Sequence, residues 1–392
     1  MPSPAANEPI LPPATIGILG GGQLGRMLGL AARSLGYGVV VLDPDPACPA
    51  AAVADHVEVA PYDDTEAAER LGQRCDVVTY EFENVSSIVA RHLETRLPTR
   101  PGARPLEIIQ DRLAERRFVA AAGGRIAPWR KVANADDLGI AADELGLPLR
   151  LKAATGGYDG RSQVRVADTA DIDVAFERLG RPAGEPQVAE AELAFEAELS
   201  VVGARGPDAA FAAFPVTRNH HEDGILVESL APAPVAQDVA ERATDLARHL
   251  ADRFDLVGTL AVELFLMPDG RLVVNELAPR VHNSGHWTIE GAATSQFEQH
   301  IRAICGLPLG ATTTRPTAMV NLLGTGPRRE ACPTGIDAAL RHRSARVHLY
   351  GKRAVVERRK MGHVTVVGDP GEDPEDVLVR ARRAAETVGW EA

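Results

Sequence analysis

The apolar positions fall into short runs separated by stretches at helical spacing. Thr15–Leu19 is an apolar run that predicts a strand, and it leads into Gly20-Gly21-Gly22-Gln23-Leu24-Gly25. Leu24, Met27, Leu28, Ala31 and Leu35 then recur at helical spacing, with Gly36 and Gly38 as stops. Residues 39–42, 56–60 and 76–80 read as three more strands. Strands alternating with helical patterns predict a parallel sheet covered on both faces. A helix over 108–122 opens a second unit. It is followed by a strand at Leu149–Ala153, the loop Thr155-Gly156-Gly157-Tyr158-Asp159-Gly160-Arg161 and a returning strand at 164–166. Residues 188–190 and 198–202 read as further strands. A third unit holds an extended stretch at 209–217, a helix near 235–254 and a hairpin over 260–277. Its last segment, about 311–392, carries strands around Met319, His348 and His363 and a closing helix near 373–388. There Asp373 suits the cap and Pro374 the first helical position. The expected division is a disordered leader 1–14 and units at 15–107, 108–205 and 206–392.

Composition narrows the class. The 392 residues are 45% apolar and 24% charged, which is globular and large enough for several cores. No run reaches the roughly 18 apolar residues of a membrane span. The net charge of −12 and the 4% aromatic content argue against a nucleic-acid footprint, a base-stacking platform or an anionic membrane surface. The four cysteines form no CxxC pair, so a disulfide scaffold or zinc knuckle is not expected and a cytoplasmic setting fits.

Three motifs carry chemistry. Gly20-x-Gly22-x-x-Gly25 matches the dinucleotide fingerprint, with Asp43 where a ribose acid would sit. Alone it admits a nicotinamide site, another anion contact, or a plain glycine-rich turn. The hairpin is sharper. Asp269-Gly270 predicts a two-residue turn, which makes paired residue numbers sum to 539 and sets Glu263 opposite Glu276. Facing carboxylates destabilise a sheet unless a cation lies between them, and Mg²⁺ suits two carboxylates completed by phosphate oxygens. Asn275 would point the other way in a regular strand, so a ligand role for it needs a bulge. The alternative is two solvated glutamates. Finally, Lys152 ends a strand just before the glycine-rich loop, which lacks the Gly-Lys-Ser/Thr of a P-loop but can close backbone N–H groups over phosphates. The alternative there is a surface hairpin. Arg280, His282, Asn283, Ser284 and His286 form a dense hydrogen-bonding run after the hairpin, and Lys352 and Arg358–His363 are basic islands. Adjacent His220 and His221 lack a third ligand for zinc.

Together, GGGQLGR (20–26), YEFEN (80–84), QDR (110–112), TGGYDGR (155–161), VNELAPRVHNSGHW (274–287) and RKMGH (359–363) resemble the ATP-grasp superfamily, and within it the 5-(carboxyamino)imidazole ribonucleotide synthase family. The motifs run in the family's order over nearly the whole chain. The resemblance implies an α/β and α+β three-domain ATP-grasp architecture: a Rossmann-like N-terminal domain, a small lid domain and a C-terminal mixed domain. It implies ATP- and bicarbonate-dependent carboxylation of 5-aminoimidazole ribonucleotide in purine synthesis, through carboxyphosphate. ATP and Mg²⁺, or Mn²⁺ in its place, are implied, with no biotin and no NAD, and the protein is expected to be a homodimer.

Residue by residue, the resemblance places Arg112, Lys152, Gly157, Tyr158, Asp159, Gly160, Arg161, Ser162 and Gln163 around the nucleotide phosphates. Glu190 and Leu193 fall at the adenine hinge, Glu198 at the ribose, and His221, Asn275 and Glu276 elsewhere on the nucleotide. Glu263 and Glu276 match the metal ligands. Gln23, Leu24, Arg280, His282, Asn283, Ser284, Lys352 and Arg359 match the substrate pocket. Lys152, Asp159, Arg280 and His282 stand at the reacting groups, with proton transfer open between Arg280 and His282. Ser162 and the hinge Glu190-Ala-Glu-Leu193 depart from the family's usual pattern. Other readings stay open on the residues alone: a nicotinamide oxidoreductase, an ATP-grasp ligase for another acid, and a nucleotide-binding regulator without turnover.

Overall fold

A computed structural model describes residues 8–156, 162–181 and 184–391. Thr15–Leu19, Gly38–Leu42, His56–Glu58 and Val77–Tyr80 form a parallel sheet with Thr15–Leu19 paired to both Gly38–Leu42 and Val77–Tyr80. Its strands are apolar almost throughout because helices cover both faces. The expected parallel first unit is present. The expected leader is not wholly loose: Ile10 N–H donates to the Cys305 carbonyl at 2.8 Å, and the Tyr37 hydroxyl donates to the Ile10 carbonyl at 2.6 Å.

The glycine loop is occupied by the chain itself. Glu81, at the end of Val77–Tyr80, accepts from the backbone N–H groups of Gly22 and Gly25, both at 2.5 Å. Asp43 accepts from Gly21 N–H at 2.8 Å and from the Tyr62 hydroxyl at 2.7 Å. The helix Gln23–Ser34 therefore already has an anion at its N-terminus, where a dinucleotide would place its phosphate. Burial pushes the Glu81 carboxyl up to about 7, against the two backbone donors.

The helix expected over 108–122 is two helices, Ala103–Ile109 and Arg112–Ala121. Asp111 breaks them by capping the second, its carboxylate accepting from Leu113 N–H at 2.8 Å. Val119 and Ala122 pack into the core of the large unit. The small unit is a four-stranded antiparallel sheet in the order Trp129–Val132, Gln187–Ala191, Leu149–Ala153, Gln163–Val166. Its own core is built from Leu138, Ala141, Leu149, Leu151, Val166 and Ala175.

Ala197–Arg205 does not belong to that sheet, although it falls inside the expected second unit. It pairs with Gly258–Leu266 and Thr217–Glu222 in a nine-stranded sheet. The chain crosses between the sheets at 192–196, where Phe195 stacks on Phe265 with centroids 4.5 Å apart. The same large sheet continues into the C-terminal segment: Thr317–Leu323 joins Ile225–Ala231 to Lys360–Val367. Pro374–Ala385 covers it, capped by Asp373 with Pro374 in the first turn. Among the described residues no helix is long and apolar enough to cross a membrane.

Candidate active site

The hairpin sets Glu263 against Glu276, but not through the expected turn. Gly270 N–H donates to the Met267 carbonyl and Met267 N–H to Arg271, with Gly270 at φ +77°. The loop is thus three residues, Pro268–Asp269–Gly270, and pairs near it sum to 538, as in Leu264–Val274. A bulge at Asn275 adds one residue to the second strand, so Glu263–Glu276 again sums to 539. The two departures cancel. The bulge also turns Asn275 toward the first strand, where its amide donates to Glu263 Oε2 at 3.2 Å.

Around Glu263 lie His221 and His282, their Nε2 atoms 4.0 and 3.5 Å from Oε1. Burial raises the Glu263 carboxyl above its usual range; His221 opposes this, and the charges of Glu276 and Glu198 add to it. A carboxylate with two like-charged neighbours is a site that gains from a cation. Hard oxygens from Glu263 and Glu276, with ligand oxygens to complete the shell, fit Mg²⁺. Among the described residues no group of three or more His, Cys, Asp or Glu is placed to hold a metal ion by itself. His221 Nδ1 sits 2.9 Å from Glu198 Oε2. Burial works to lower the His221 pKa, but this bond and the charges of Glu263 and Glu198 outweigh it and raise it. His220 instead is exposed, beside Glu222 at 3.7 Å.

On the lid side, Lys152 is ion-paired with Glu190, whose other oxygen takes Arg116 at 2.5 Å. Burial alone would raise Glu190, yet Lys152 and Arg116 hold it down to about 2. Arg116 also meets Glu115 at 3.0 Å, and Glu115 accepts from Leu277 N–H at 2.8 Å, next to Glu276. Arg112 Nη2 lies 3.9 Å from Glu276 Oε2. A cleft lined by Glu83, Gln110, Arg112, Ala154, Gly156 and Glu276 runs through these groups. Sequence reasoning missed Arg116 and Glu115. Their signal was a charged pair within an amphipathic helix, which ordinarily means a solvated face. Gly157, Tyr158, Asp159, Gly160 and Arg161 lie outside the described residues. Ser162 and Gln163 adjoin them, and Gln163 pairs with Lys152 across the sheet. Leu193 lies in the crossing at 192–196.

On the substrate side, Arg280 forms a bidentate pair with Glu83 of the first unit, at 2.6 and 2.5 Å. Burial pushes the His282 imidazole well below its usual range, helped by the charges of Arg280 and Lys360. Asn283 and Asn321 exchange amide hydrogen bonds at 3.1 and 2.7 Å. Lys352 donates to the Lys360 carbonyl at 2.7 Å, and Arg359 to the Ala354 carbonyl at 3.0 Å. Gln23 opens the helix Gln23–Ser34, and the side chain of Leu24 packs in a cluster with Val281, Phe297 and Tyr350. Ser284 is fully buried, so its side chain reaches other side chains rather than the cleft.

Sequence models match in register with these units: the ribonucleotide synthetase preATP-grasp domain at 13–110, the ATP-grasp domain at 117–297 and the phosphoribosylaminoimidazole carboxylase C-terminal domain at 317–376. The chain is 42% identical over 369 residues to the N5-carboxyaminoimidazole ribonucleotide synthase of Bacillus subtilis, covering 94% of this chain and 95% of that one. The corresponding protein of Brucella melitensis is 45% identical over 358 residues, covering 90% and 96%. This chain belongs to the N5-carboxyaminoimidazole ribonucleotide synthase family. Members of that family are ATP-dependent ligases, and this chain is one. The family's fold is equally plain in solved structures. The Aspergillus clavatus synthase in complex with ADP and 5-aminoimidazole ribonucleotide superposes with a TM-score of 0.87 at 32% identity, over 97% of this chain and 100% of that one. The Staphylococcus aureus synthetase complexed with ADP gives 0.87 at 35% identity, over 97% and 100%.

Proposed function

We infer that the cleft between the lid sheet, the Glu263–Glu276 hairpin and the first unit is where this chain carries out its family's reaction. That reaction is the ATP-dependent carboxylation of 5-aminoimidazole ribonucleotide to N5-carboxyaminoimidazole ribonucleotide in purine biosynthesis. The observation that carries the placement is the pair of facing carboxylates Glu263 and Glu276, with Arg112 beside Glu276 in the lining of the cleft.

Lys152 and Arg112 hold the nucleotide phosphates. ATP competes with Glu190 for Lys152, and Arg116 stays behind to keep Glu190 paired and ionised. Glu190 and Leu193 border the adenine, and Glu198, steadied by His221, takes the ribose. Glu263 and Glu276 hold Mg²⁺, or Mn²⁺ in its place, with Asn275 bracing Glu263. When bound, the ion neutralises charge on the transferring phosphoryl group. Bicarbonate oxygen attacks the γ-phosphorus and ADP leaves, giving carboxyphosphate. Lys152 stabilises the charge that develops, since phosphoryl transfer is mainly positioning and electrostatics. Arg280, aimed by Glu83, orients the bicarbonate. The family resemblance assigns Asp159 and its neighbours at 157–161, which lie outside the described residues, to the nucleotide phosphates. Gln23, Leu24, Asn283, Lys352 and Arg359 face the ribonucleotide, whose exocyclic amine bonds to the carboxyl carbon as the carbon–oxygen bond to phosphate breaks and the departing phosphate takes up the amine proton. The protein works as a cytoplasmic homodimer.

The test measures ADP and carboxylated product with Mg-ATP, adding the ribonucleotide and bicarbonate separately and together. Product that needs both is expected. Glu276→Gln is expected to lower turnover on the order of 10²-fold or more with its thermal transition retained, because a facing like charge has been removed. Full activity in Glu276→Gln would remove the metal assignment.

A further inference from the structure

His282 has two contacts at Nδ1. The backbone N–H of Ser284, which can only donate, reaches it at a long 3.3 Å. The Ser284 hydroxyl lies closer, at 2.8 Å. With that hydroxyl donating beside the weak backbone bond, Nδ1 is an acceptor and the proton of the neutral ring is on Nε2. That N–H turns to the cleft, with Glu263 Oε1 at 3.5 Å, too far for a strong bond of its own. The charges of Arg280, Lys360, His286 and His221 all act on the ring.

Behind Ser284 the polar chain continues in one direction. Ser229 donates to Asn219 Oδ1 at 2.8 Å, and Asn219 donates to Ser200 Oγ at 2.9 Å. Ser200 in turn donates to Ser284 Oγ at 2.9 Å. All four residues are buried, on three adjacent strands and the turn at Asn283–Gly285. In this arrangement the chain runs from Ser229 to Ser284 and leaves the Ser284 proton for His282. Chains aligned this way polarise one another.

We propose that Ser200, Asn219 and Ser229 are positioning residues that act through Ser284 to hold His282 as a fixed hydrogen-bond donor to an oxygen of the bound bicarbonate or carboxyphosphate. His282 then stabilises charge on that oxygen and cannot take a proton at Nε2. The assignment rests on the reading of this cleft as the carboxylation site. It moves Ser284 from substrate contact to support for His282.

Histidine ¹⁵N spectra of the full-length protein test it, with His282 assigned by its loss in His282→Asn. One protonated nitrogen, Nε2, is expected for His282. Ser200→Ala, or Ser229→Ala should that variant fold poorly, is expected to shift both signals toward a tautomer average. Turnover should fall about tenfold, in the range for removing a support to a site residue, with KM for ATP unchanged. Ser200→Thr should restore both. A protonated Nδ1 in the parent protein, or unaltered spectra and turnover in both alanine variants, would overturn the proposal. The spectra need no turnover, so a protein that shows the expected tautomer and makes no carboxylated product would instead fail the reading of the cleft.

Discussion

Glu190 is where one residue's environment decides most about the lid. Its carboxylate is buried, which costs several kcal/mol if unpaired, and two cations answer it, Lys152 and Arg116. The folded carboxyl is held down to about 2 from an ordinary 4.5. The folded state thus binds fewer protons than the unfolded chain between those values. Its contribution is fully present above about pH 4.5 and is lost as pH falls toward 2, at about 1.4 kcal/mol per pH unit. Glu190→Gln is expected to flatten the fall of stability between pH 5 and pH 3 by about that slope, measured by denaturant unfolding at each pH. Equal slopes in both proteins would sink the assignment. Glu190 was readable from its motif, but Arg116 was not, because its partners come from residues 74 positions away and from its own neighbour. The glycine loop shows the same limit. Its spacing reported an anion at a helix N-terminus correctly, and nothing in it could report that the anion is Glu81, 56 residues beyond Gly25.

At the scale of elements, the Glu263–Glu276 hairpin carries the sharpest lesson. The facing pair was legible because period-two alternation and a turn signal at Asp269-Gly270 fix a register. The turn length and the bulge were not, since Asp-Gly serves both a two-residue turn and the end of a three-residue loop. The outcome survived because both departures are one residue and opposite in sense. That makes the bulge testable. Deleting Asn275 removes the bulge and leaves Glu276 directly after Val274, still opposite Glu263. Such a variant is expected to keep a folded sheet and to lose no more ATP-dependent turnover than Asn275→Ala, which keeps the bulge and removes only the amide bond to Glu263. A far larger loss on deletion than in Asn275→Ala would show that the bulge itself, and not only the facing pair and the amide, shapes the site. Elsewhere, strands with strong alternation were found where expected, while the split at Gln110–Asp111 was hidden by continuous helical spacing and revealed only by the cap of Asp111.

Across the whole molecule, the C-terminal segment after residue 311, expected as the last part of the third unit, forms one side of the large sheet. Thr317–Leu323 pairs with Ile225–Ala231 on one side and Lys360–Val367 on the other, so the cut would fall inside a continuous ladder. The core on that side mixes Leu230 with Ala318, Val320, Leu322, Val364, Val366 and Leu378. Asn321 also anchors Asn283, and Tyr350 packs with Leu24 of the first unit and Val281 of the substrate loop. Long-range strand pairing of this kind leaves no periodic mark that tells a separate domain from a shared sheet. Removing residues 311–392 would expose the edge of Ile225–Ala231 and the apolar residues that faced the lost strands, an open template for association. The truncated chain is therefore expected to lose the cooperative urea transition of the large unit as a whole and to aggregate. If it unfolds with a sharp transition and still binds ADP, the C-terminal strands are a dispensable layer, and the substrate side of the cleft must be held by the first unit alone.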